Sequence, residues 1–278
     1  MRRAVAALLL AALAATAAPA AAAPARITPV VSRNWSGYAV ATRDRATRFR
    51  QVGGAWTVPG VVCTPHRATY ASNWVGIGGY YGDATTLAQI GTESDCRADG
   101  SLYYSAWTEL VPAPTRRLEL TVRPGDRVRA SVRVRGRAVH LEMDDLTTGV
   151  SRTRDLTADR DPDLSSAEWI LEAPAICKSG TVGCKVLPLA QFDDSRFSDA
   201  EVTTTRAITS GVTSVHYPSL AITMRALQAF SVGDGRSTPV TLTATPGRPT
   251  SAARAFTITF RREPAPGPLS ARRSRSSP

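Results

Sequence analysis

Apolar and polar side chains alternate with a period of two along much of this chain, and that pattern predicts β-strands. The clearest case is Arg127–Arg135, in which valine and alanine alternate with arginine and one serine. Such a strand has one face on a core and an arginine-rich face in solvent. The same alternation predicts strands at 139–144, 240–244 and 256–260.

Turn residues separate these strands. Arg123-Pro124-Gly125-Asp126 and Thr147-Thr148-Gly149 both have the composition of tight turns. Before the first of them, residues 118–123 alternate leucine or valine with polar side chains. We therefore predict a hairpin between 118–122 and the strand Arg127–Arg135.

The order of elements defines the fold class. Helical periodicity is poor after the N-terminal segment, and strands with regular turn signals are typical of a β-sandwich or barrel. Strands do not alternate with helices, which argues against an α/β hydrolase or a dinucleotide-binding fold. We predict an all-β protein without internal repeats.

Both termini differ in composition from the body. Arg2 and Arg3 precede an apolar stretch at 4–18 and small residues up to Ala23, which is the pattern of a secretory signal. The apolar run is short for a membrane span, so a retained anchor is the less favoured alternative. We predict a signal peptide at 1–23, a linker at 24–33, one domain at 34–262 and a disordered basic Pro/Ser/Arg tail at 263–278. The mature protein is then secreted and extracellular, without stable membrane insertion.

Four cysteines remain in the mature chain. An even number in an exported protein indicates disulfides, and four cysteines allow three connectivities. We favour Cys63–Cys96 and Cys177–Cys184, because each pair lies within one segment. A zinc site is less favoured, since neither a C-x-x-C spacing nor clustered histidine accompanies them.

The chain is basic, with a formal net charge of +11 carried almost entirely by arginine. Such a charge attracts nucleic acid or an anionic cell envelope. No nucleic-acid-binding motif accompanies it. We interpret the arginines as solvated strand faces and predict no nucleic-acid partner.

Familiar catalytic motifs are absent from the sequence. There is no G-x-S-x-G elbow, no H-E-x-x-H and no Asp-Thr-Gly loop. His66, His140 and His216 lie in no recognisable context. The acidic segment 159–163 hints at calcium but lacks the glycine and glutamate of an EF-hand loop, so we predict a solvated turn.

With those motifs absent, the remaining candidates for catalysis are carboxyl groups on a predicted strand. In 166–172, Trp169 and Leu171 share one face of a strand, while Glu168, Ile170 and Glu172 share the other. A glutamate beside apolar neighbours is partly desolvated, which raises its pKa and makes it a candidate general acid or base. The alternative is a solvated edge strand with two inert glutamates.

Four ordered segments favour the catalytic interpretation and resemble the glutamic peptidase (eqolisin) family. The resemblance spans about 34–262 and continues through Leu189-Ala190-Gln191-Phe192 and Phe197-Ser198-Asp199-Ala200. The four segments are Asn34-Trp35-Ser36-Gly37-Tyr38, Asn73-Trp74-Val75-Gly76-Ile77-Gly78-Gly79 running on to Leu87-Ala88-Gln89-Ile90-Gly91-Thr92, Tyr104-Ser105-Ala106-Trp107-Thr108-Glu109-Leu110-Val111-Pro112, and Ala167-Glu168-Trp169-Ile170-Leu171-Glu172.

The resemblance implies a fold, a chemistry and a set of site residues. The fold is an antiparallel β-sandwich of two bent sheets, concanavalin-like or lectin-like, with a concave substrate groove. The catalytic pair is Gln89 and Glu168, with Trp74 as a substrate wall and Glu109 as an acceptor that holds Gln89. A secreted, acid-acting endopeptidase on polypeptides follows, without metal or cofactor. We expect a monomer.

Two departures from the family pattern are visible, and two other functions stay open. Only about ten residues separate the predicted cleavage site from Asn34, which leaves no room for a long propeptide. Gly78-Gly79 stands where an aspartate is typical of the family, which puts the acid dependence in doubt. The alternatives are a polysaccharide hydrolase with paired carboxylates and a non-catalytic β-sandwich binding module.

Overall fold

A computed structural model describes residues 26–177, 184–214, 216–231, 237–250 and 254–263. Every helix or strand element in these ranges is a β-strand. The predicted signal peptide and residues 264–278 of the predicted tail lie outside the described residues. The strands are β1 (Ile27–Ser32), β2 (Trp35–Ala41), β3 (Phe49–Thr57), β4 (Val61–Val62), β5 (Ser72–Gly78), β6 (Leu87–Cys96), β7 (Leu102–Leu110), β8 (Arg116–Leu118), β9 (Arg127–Arg135), β10 (Ala138–Asp145), β11 (Val150–Thr157), β12 (Ser166–Glu172), β13 (Ala175–Cys177), β14 (Cys184–Val186), β15 (Gln191–Phe192), β16 (Ser195–Thr204), β17 (Thr209–Ser210), β18 (Ser219–Ser231), β19 (Ser237–Pro246) and β20 (Phe256–Glu263).

The strands form a two-layer antiparallel sandwich, as predicted. The first layer has the order β11-β10-β9-β3-β16, and the second has the order β2-β12-β5-β6-β7-β8. Strands β20, β19 and β18 connect the layers, so hydrogen bonding continues from one to the other. Contacts of β3 and β9 with β5, and of β6 with β9 and β10, show that the layers pack face to face.

The core fills the space between the layers. Trp169 and Leu171 from β12 meet Trp56 from β3 and Val128 from β9 there, all almost fully buried. These side chains are the inward members of the alternating strands, which is why the period-two pattern locates the core. A second, smaller apolar cluster, which includes Trp74, lies apart from it and packs with the outer side of the second layer.

The four strands predicted at 127–135, 139–144, 240–244 and 256–260 are confirmed, but the predicted strand 118–122 and its hairpin are wrong. Arg127–Arg135 is β9, and 139–144, 240–244 and 256–260 lie within β10, β19 and β20. However, β9 pairs with β3 and β10, while 118–122 contributes only the end of β8, which pairs with β7. The turn at 123–126 hydrogen-bonds to Val58 at the end of β3, which directs β9 to that strand. Alternation identified buried residues correctly and could not identify their partners.

The N-terminal segment and the cysteines complete the fold. Ile27–Ser32, predicted as a linker, forms β1 and pairs with β18 in parallel. The disulfide Cys63–Cys96 joins the segment after β4 to the end of β6, as predicted. Cys184 is disulfide-bonded and faces Cys177 across β13 and β14, while the side chain of Cys177 lies outside the described residues. Among the described residues, no helix is long and apolar enough to span a membrane.

Candidate active site

Strand β12 places one carboxylate on each side of an apolar residue. Trp169 and Leu171 belong to the core between the layers. Glu168, Ile170 and Glu172 alternate with them and therefore lie on the opposite side of the second layer, which we call the groove face. Ile170 belongs there to the outer apolar cluster.

Strand register brings Gln89 and Glu168 to the same level of the groove face. Glu168 on β12 pairs with Gly76 on β5, and Gly76 pairs with Gln89 on β6. Gln89 pairs in turn with Glu109 on β7. Because neighbouring strands lie roughly 4.8 Å apart, the Cα atoms of Glu168 and Gln89 are about 10 Å apart across Gly76. Two long polar side chains at that separation can reach toward one small group between them.

Gly76 has no room for a side chain. A Cβ at this position would lie 2.9 Å from Cζ3 of Trp74, 3.0 Å from Cδ1 of Leu87 and 3.2 Å from the carbonyl oxygen of Ala88. Trp74 and Leu87 cover the space between the two polar residues. Glycine is therefore required at position 76 by packing on the groove face and not by a turn conformation.

The Glu168 side chain is fully buried, and the Ser166 hydroxyl compensates for only part of the burial. Its relative exposure is 0 %, and neither carboxylate oxygen has a hydrogen-bond partner among the described residues. Burial raises the pKa of Glu168 well above its ordinary value, the charge of Asp163 raises it further, and the nearby Ser166 hydroxyl lowers it. A buried carboxyl without a partner is costly and is typical of a functional position.

Gln89 is held by the carboxylate that pairs with it. Its Nε2 donates to Oε2 of Glu109 at 2.5 Å, and Oε1 of Glu109 accepts from the Thr115 hydroxyl at 2.8 Å. The side chain of Gln89 is 5 % exposed. Its second N–H hydrogen has no assigned acceptor, and its Oε1 has no partner among the described residues. One amide hydrogen therefore remains for another ligand.

Glu172 lies at the far end of β12 on the same face and is fully partnered. It accepts from Nε1 of Trp74 and from Nδ2 of Asn34, each at 2.9 Å. Burial raises the pKa of Glu172 to about 7, although the Trp74, Trp35 and Asn34 donors act in the opposite direction. Trp74 is itself fully buried and packs edge-to-face against Trp35 at 5.0 Å between ring centroids. The predicted role of Trp74 as a substrate wall therefore stays a prediction.

Two more carboxyl groups, those of Glu93 and Asp95, lie on β6. Burial raises the pKa of Glu93, and it raises the pKa of Asp95 to about 8 with a further contribution from the charge of Glu93. Glu93 accepts from the Ser105 hydroxyl at 3.1 Å, and Asp95 accepts from the Ala71 amide at 3.3 Å. The second layer is thus unusually rich in carboxyl groups that are easier to protonate than free ones.

The segment between β5 and β6 is fixed beside Glu168 by the chain that precedes β12. Gly78 and Gly79 have φ values of +87° and +88°, which favour glycine. The Gly79 amide donates to Asp163 at 3.1 Å, and the Tyr80 amide donates to the Ser166 hydroxyl at 3.4 Å. Tyr80 then packs on the outer apolar cluster, where burial raises its pKa and the charge of Glu168 contributes to the rise.

A sequence profile of the peptidase A4 family matches residues 33–242. This chain belongs to the peptidase A4 family. It is a glutamic endopeptidase, and its substrates are polypeptides. No curated protein matches it by sequence.

Solved structures agree with the fold of this A4 peptidase. Scytalido-glutamic peptidase bound to a peptide-based transition-state analogue superposes with a TM-score of 0.57 at 20% identity, covering 82% of this chain and 98% of the other. SCP-B, an eqolisin in complex with the tripeptide Ala-Ile-His, superposes with a TM-score of 0.56 at 20% identity and the same coverage. At this identity the likeness establishes the fold.

The acidic segment and His140 of this A4 peptidase make local contacts. Within the described ranges, no group of three or more His, Cys, Asp or Glu side chains is placed to hold a metal ion. In the acidic segment 159–163, Asp163 is engaged with the amides of Gly79 and Ser165. His140 pairs with Asp155 at 2.7 Å on the exposed face of β10.

The family resemblance paired Gln89 with Glu168 and made Glu109 the acceptor of Gln89, and in the structure all three lie at one level of the groove face. Sequence reasoning did not identify Gly76 as the floor between them, nor Tyr80 and Asp163 as neighbours of Glu168. The register Glu168–Gly76–Gln89 would have been a usable signal for Gly76, had the order of β12, β5 and β6 been known. Tyr80 and Asp163 lie in segments between strands, where no periodicity operates.

Proposed function

We propose that this A4 peptidase hydrolyses internal peptide bonds with a dyad in which Glu168 transfers protons and Gln89 is the oxyanion donor. The observation that supports it is the cross-strand arrangement of these two side chains on either side of Gly76. The buried Glu168 carboxyl and the Gln89 amide, which has one hydrogen without an acceptor, both lie beside Gly76 on the groove face. In this proposal, Trp74 and Leu87 move aside to admit a water molecule and a scissile carbonyl group to that position.

In the first step, ionised Glu168 takes a proton from water as the water oxygen attacks the carbonyl carbon. The C–O bond forms, and the carbonyl π-electrons move to its oxygen. The free N–H of Gln89 donates to that oxyanion. An oriented donor of this kind contributes to rate because it is in place before charge develops.

In the second step, Glu168 returns the proton to the amide nitrogen and the C–N bond breaks. The products are a carboxylic acid and an amine, and Glu168 is ionised again. No group other than water is consumed.

Glu109 and Trp74 have supporting roles in this proposal. Glu109 fixes the Gln89 amide in the orientation that leaves one hydrogen free. Trp74 covers Gly76 and is anchored to Glu172, so that it forms a wall of the groove when substrate displaces its neighbours. In this proposal, Glu109 and Trp74 position other groups and do not transfer protons.

Ionisation of carboxyl groups acts in opposite directions on the proposed base and on the fold. Glu168 must be ionised to act as a base, and burial raises its pKa well above the ordinary 4.5. In contrast, Glu172 and Asp95, with pKa values raised to about 7 and about 8, destabilise the fold when they ionise. The base therefore favours higher pH and the fold favours lower pH, so we expect activity to fall on both sides of one optimum.

Export to an oxidising compartment is part of the proposal. The disulfide Cys63–Cys96 lies on the strand that carries Gln89, and disulfides persist outside the reducing cytosol. The N-terminal segment predicted to be a secretory signal agrees with this location.

The test is cleavage of a denatured protein by the purified secreted enzyme from pH 2 to 8, beside Glu168→Gln and Gln89→Ala. We expect losses of roughly 10²- to 10⁴-fold for Glu168→Gln and roughly 10²- to 10³-fold for Gln89→Ala. Circular dichroism of both variants verifies folding.

Two results would reject the proposed pair. Equal cleavage by a folded variant and the wild type would show that the pair is not catalytic. No cleavage by the wild type at any pH would direct the same samples to oligosaccharide hydrolysis and binding assays.

A further inference from the structure

Ser166 is the side chain next to Glu168 on the groove face. The two residues are two positions apart on β12, so their side chains lie on the same side of the sheet with Cα atoms about 7 Å apart. Both residues are fully buried, at 0 % relative exposure. The proposed chemistry uses Glu168 and leaves Ser166 without a role.

The hydrogen-bonding capacities of the two groups are complementary. The Ser166 hydroxyl oxygen accepts from the Tyr80 amide at 3.4 Å, and no acceptor is assigned to its own hydrogen among the described residues. The Glu168 carboxyl oxygens have no assigned donor there. Buried polar groups are rarely left without a partner, and a hydroxyl hydrogen rotates to suit its acceptor. A donor without an acceptor therefore lies beside an acceptor without a donor.

The segment between β5 and β6 holds the Ser166 hydroxyl in place. Strand β12 pairs with β5 only from Ala167 onward, so the Tyr80 amide reaches Ser166 where this pairing ends. The Gly79 amide donates to Asp163 at 3.1 Å and fixes the same segment at a second point. Because the hydroxyl oxygen accepts from Tyr80, its hydrogen is directed to another group.

The charged groups around Glu168 act in different directions. Burial raises the pKa of Glu168 most, the Ser166 hydroxyl lowers it, and the charge of Asp163 raises it. Tyr80 faces Glu168 from the segment between β5 and β6, and Glu172 lies four positions along β12. At the level of Glu168, β2, β5 and β6 present an alanine, a glycine and a glutamine, and β7 presents the carboxylate that holds this glutamine. Among these neighbours, Ser166 is the one that favours the ionised form.

We infer that Ser166 is a positioning residue of this peptidase, whose hydroxyl donates to the ionised Glu168 carboxylate and holds it ready to take a proton from water. The inference rests on the proposed function, since it concerns the same base. It adds a residue whose effect depends on pH. A donor stabilises the charged form of an acid, so with Ser166 the base stays ionised to lower pH than it does without it.

The experiment measures kcat and KM for one peptide from pH 2 to 8 in the wild type, Ser166→Ala and Ser166→Thr. Activity falls at low pH as Glu168 takes up a proton. Ser166→Ala should move this fall to higher pH by about one unit, which lowers kcat/KM roughly tenfold on the acid side and changes it little above. The loss should appear in kcat while KM stays nearly constant. Ser166→Thr keeps a hydroxyl and should restore the wild-type profile.

Ser36→Ala is the matched control, because Ser36 is an equally buried serine on β2 whose hydroxyl donates to the carbonyl oxygen of Ala244. It should leave the pH of the acid-side fall unchanged. If folded Ser166→Ala loses activity at the same pH as the wild type, or by one factor at every pH, the inference is overturned.

A carbon-13 NMR titration measures the same shift without catalysis, on the glutamate carboxyl resonance that disappears in Glu168→Gln. The pKa of Glu168 should be higher in Ser166→Ala than in the wild type, and an unchanged pKa would overturn the inference. Failure of the wild type to cleave any peptide would instead reject the proposed function, and the titration would still show whether Ser166 donates to Glu168.

Discussion

Strands β9 and β12 follow the same alternating pattern, but the residues that face away from the core are exposed in β9 and buried in β12. In β9, valine and alanine are buried, while all four arginines are exposed or half-exposed. In β12, every residue from Ser166 to Leu171 is buried, including Glu168. Both strands turn apolar side chains to the same core, so the difference lies in what covers the other face.

The difference shows how covering one face of a sheet can change the chemistry of its polar residues. The outer face of β9 has charges that water solvates, and they contribute little to stability. The outer face of β12 is covered by Trp74, Tyr80 and Leu87, which remove water from the carboxyl groups. Polar residues on a covered face change their chemistry, whereas those on an open face keep it.

Gly76→Ala has the largest expected effect on this contrast among substitutions that leave the proposed dyad residues unchanged. The added Cβ meets Trp74 and Leu87 at 2.9–3.0 Å and separates Glu168 from Gln89. We expect roughly a 100-fold loss of kcat/KM and a destabilisation of about 1–3 kcal/mol, measured by peptide cleavage and urea unfolding.

Gly82→Ala is the control, because a Cβ at Gly82 has no atom within 4 Å. It should leave both measurements unchanged. If Gly76→Ala cleaves as well as Gly82→Ala, the space above Gly76 is not where the substrate carbonyl lies.

Asp95→Asn tests how much stability the fold loses when a covered carboxyl group ionises. The folded-state pKa of Asp95 is raised from 3.8 to about 8, so the folded protein holds this proton more tightly than the unfolded chain. Stability is full below the unfolded pKa and falls as pH rises toward the folded pKa, by at most about 1.4 kcal/mol for each pH unit. We expect Asp95→Asn to be a few kcal/mol more stable than the wild type at pH 8 and no more stable at pH 4.

The measurement is urea unfolding at both pH values. Asp161→Asn, at an exposed position, should change the free energy of unfolding by less than about 0.5 kcal/mol at either pH. A wild type that is as stable at pH 8 as at pH 4 would contradict the view that ionising the covered acids is costly.

Arg129→Gln has the smallest expected effect, because it lies on the open face of β9. Its removal should change stability by less than about 0.5 kcal/mol and kcat/KM by less than about twofold. Thermal unfolding and peptide cleavage check both. A loss of activity comparable to that of Gly76→Ala would show that the open face also contributes to the reaction.

Period-two alternation was enough to predict the strands, the core and the face on which Glu168 lies. It could not predict that β9 pairs with β3, since pairing depends on the turn at 123–126 and on strands distant in sequence. The positions of Gln89 and Glu168 were predicted from ordered motifs, and their distance required the register through Gly76. Complete burial of Glu168 did not follow from its strand, because its cover comes partly from Tyr80, in a segment without periodicity.

Strand β2 lies between β12 and β18, so its two edges are paired with chain segments that are synthesised much later. Ser36 pairs with Leu171, and Ile222 pairs with Gly37. Pairing of such distant residues is slow, because a long loop must close before any contact forms. During synthesis, Glu168 and Gln89 cannot come together until β12 has been made, and β2 stays open at one edge until β18 follows. The strand therefore stays incompletely paired until most of the chain has been synthesised.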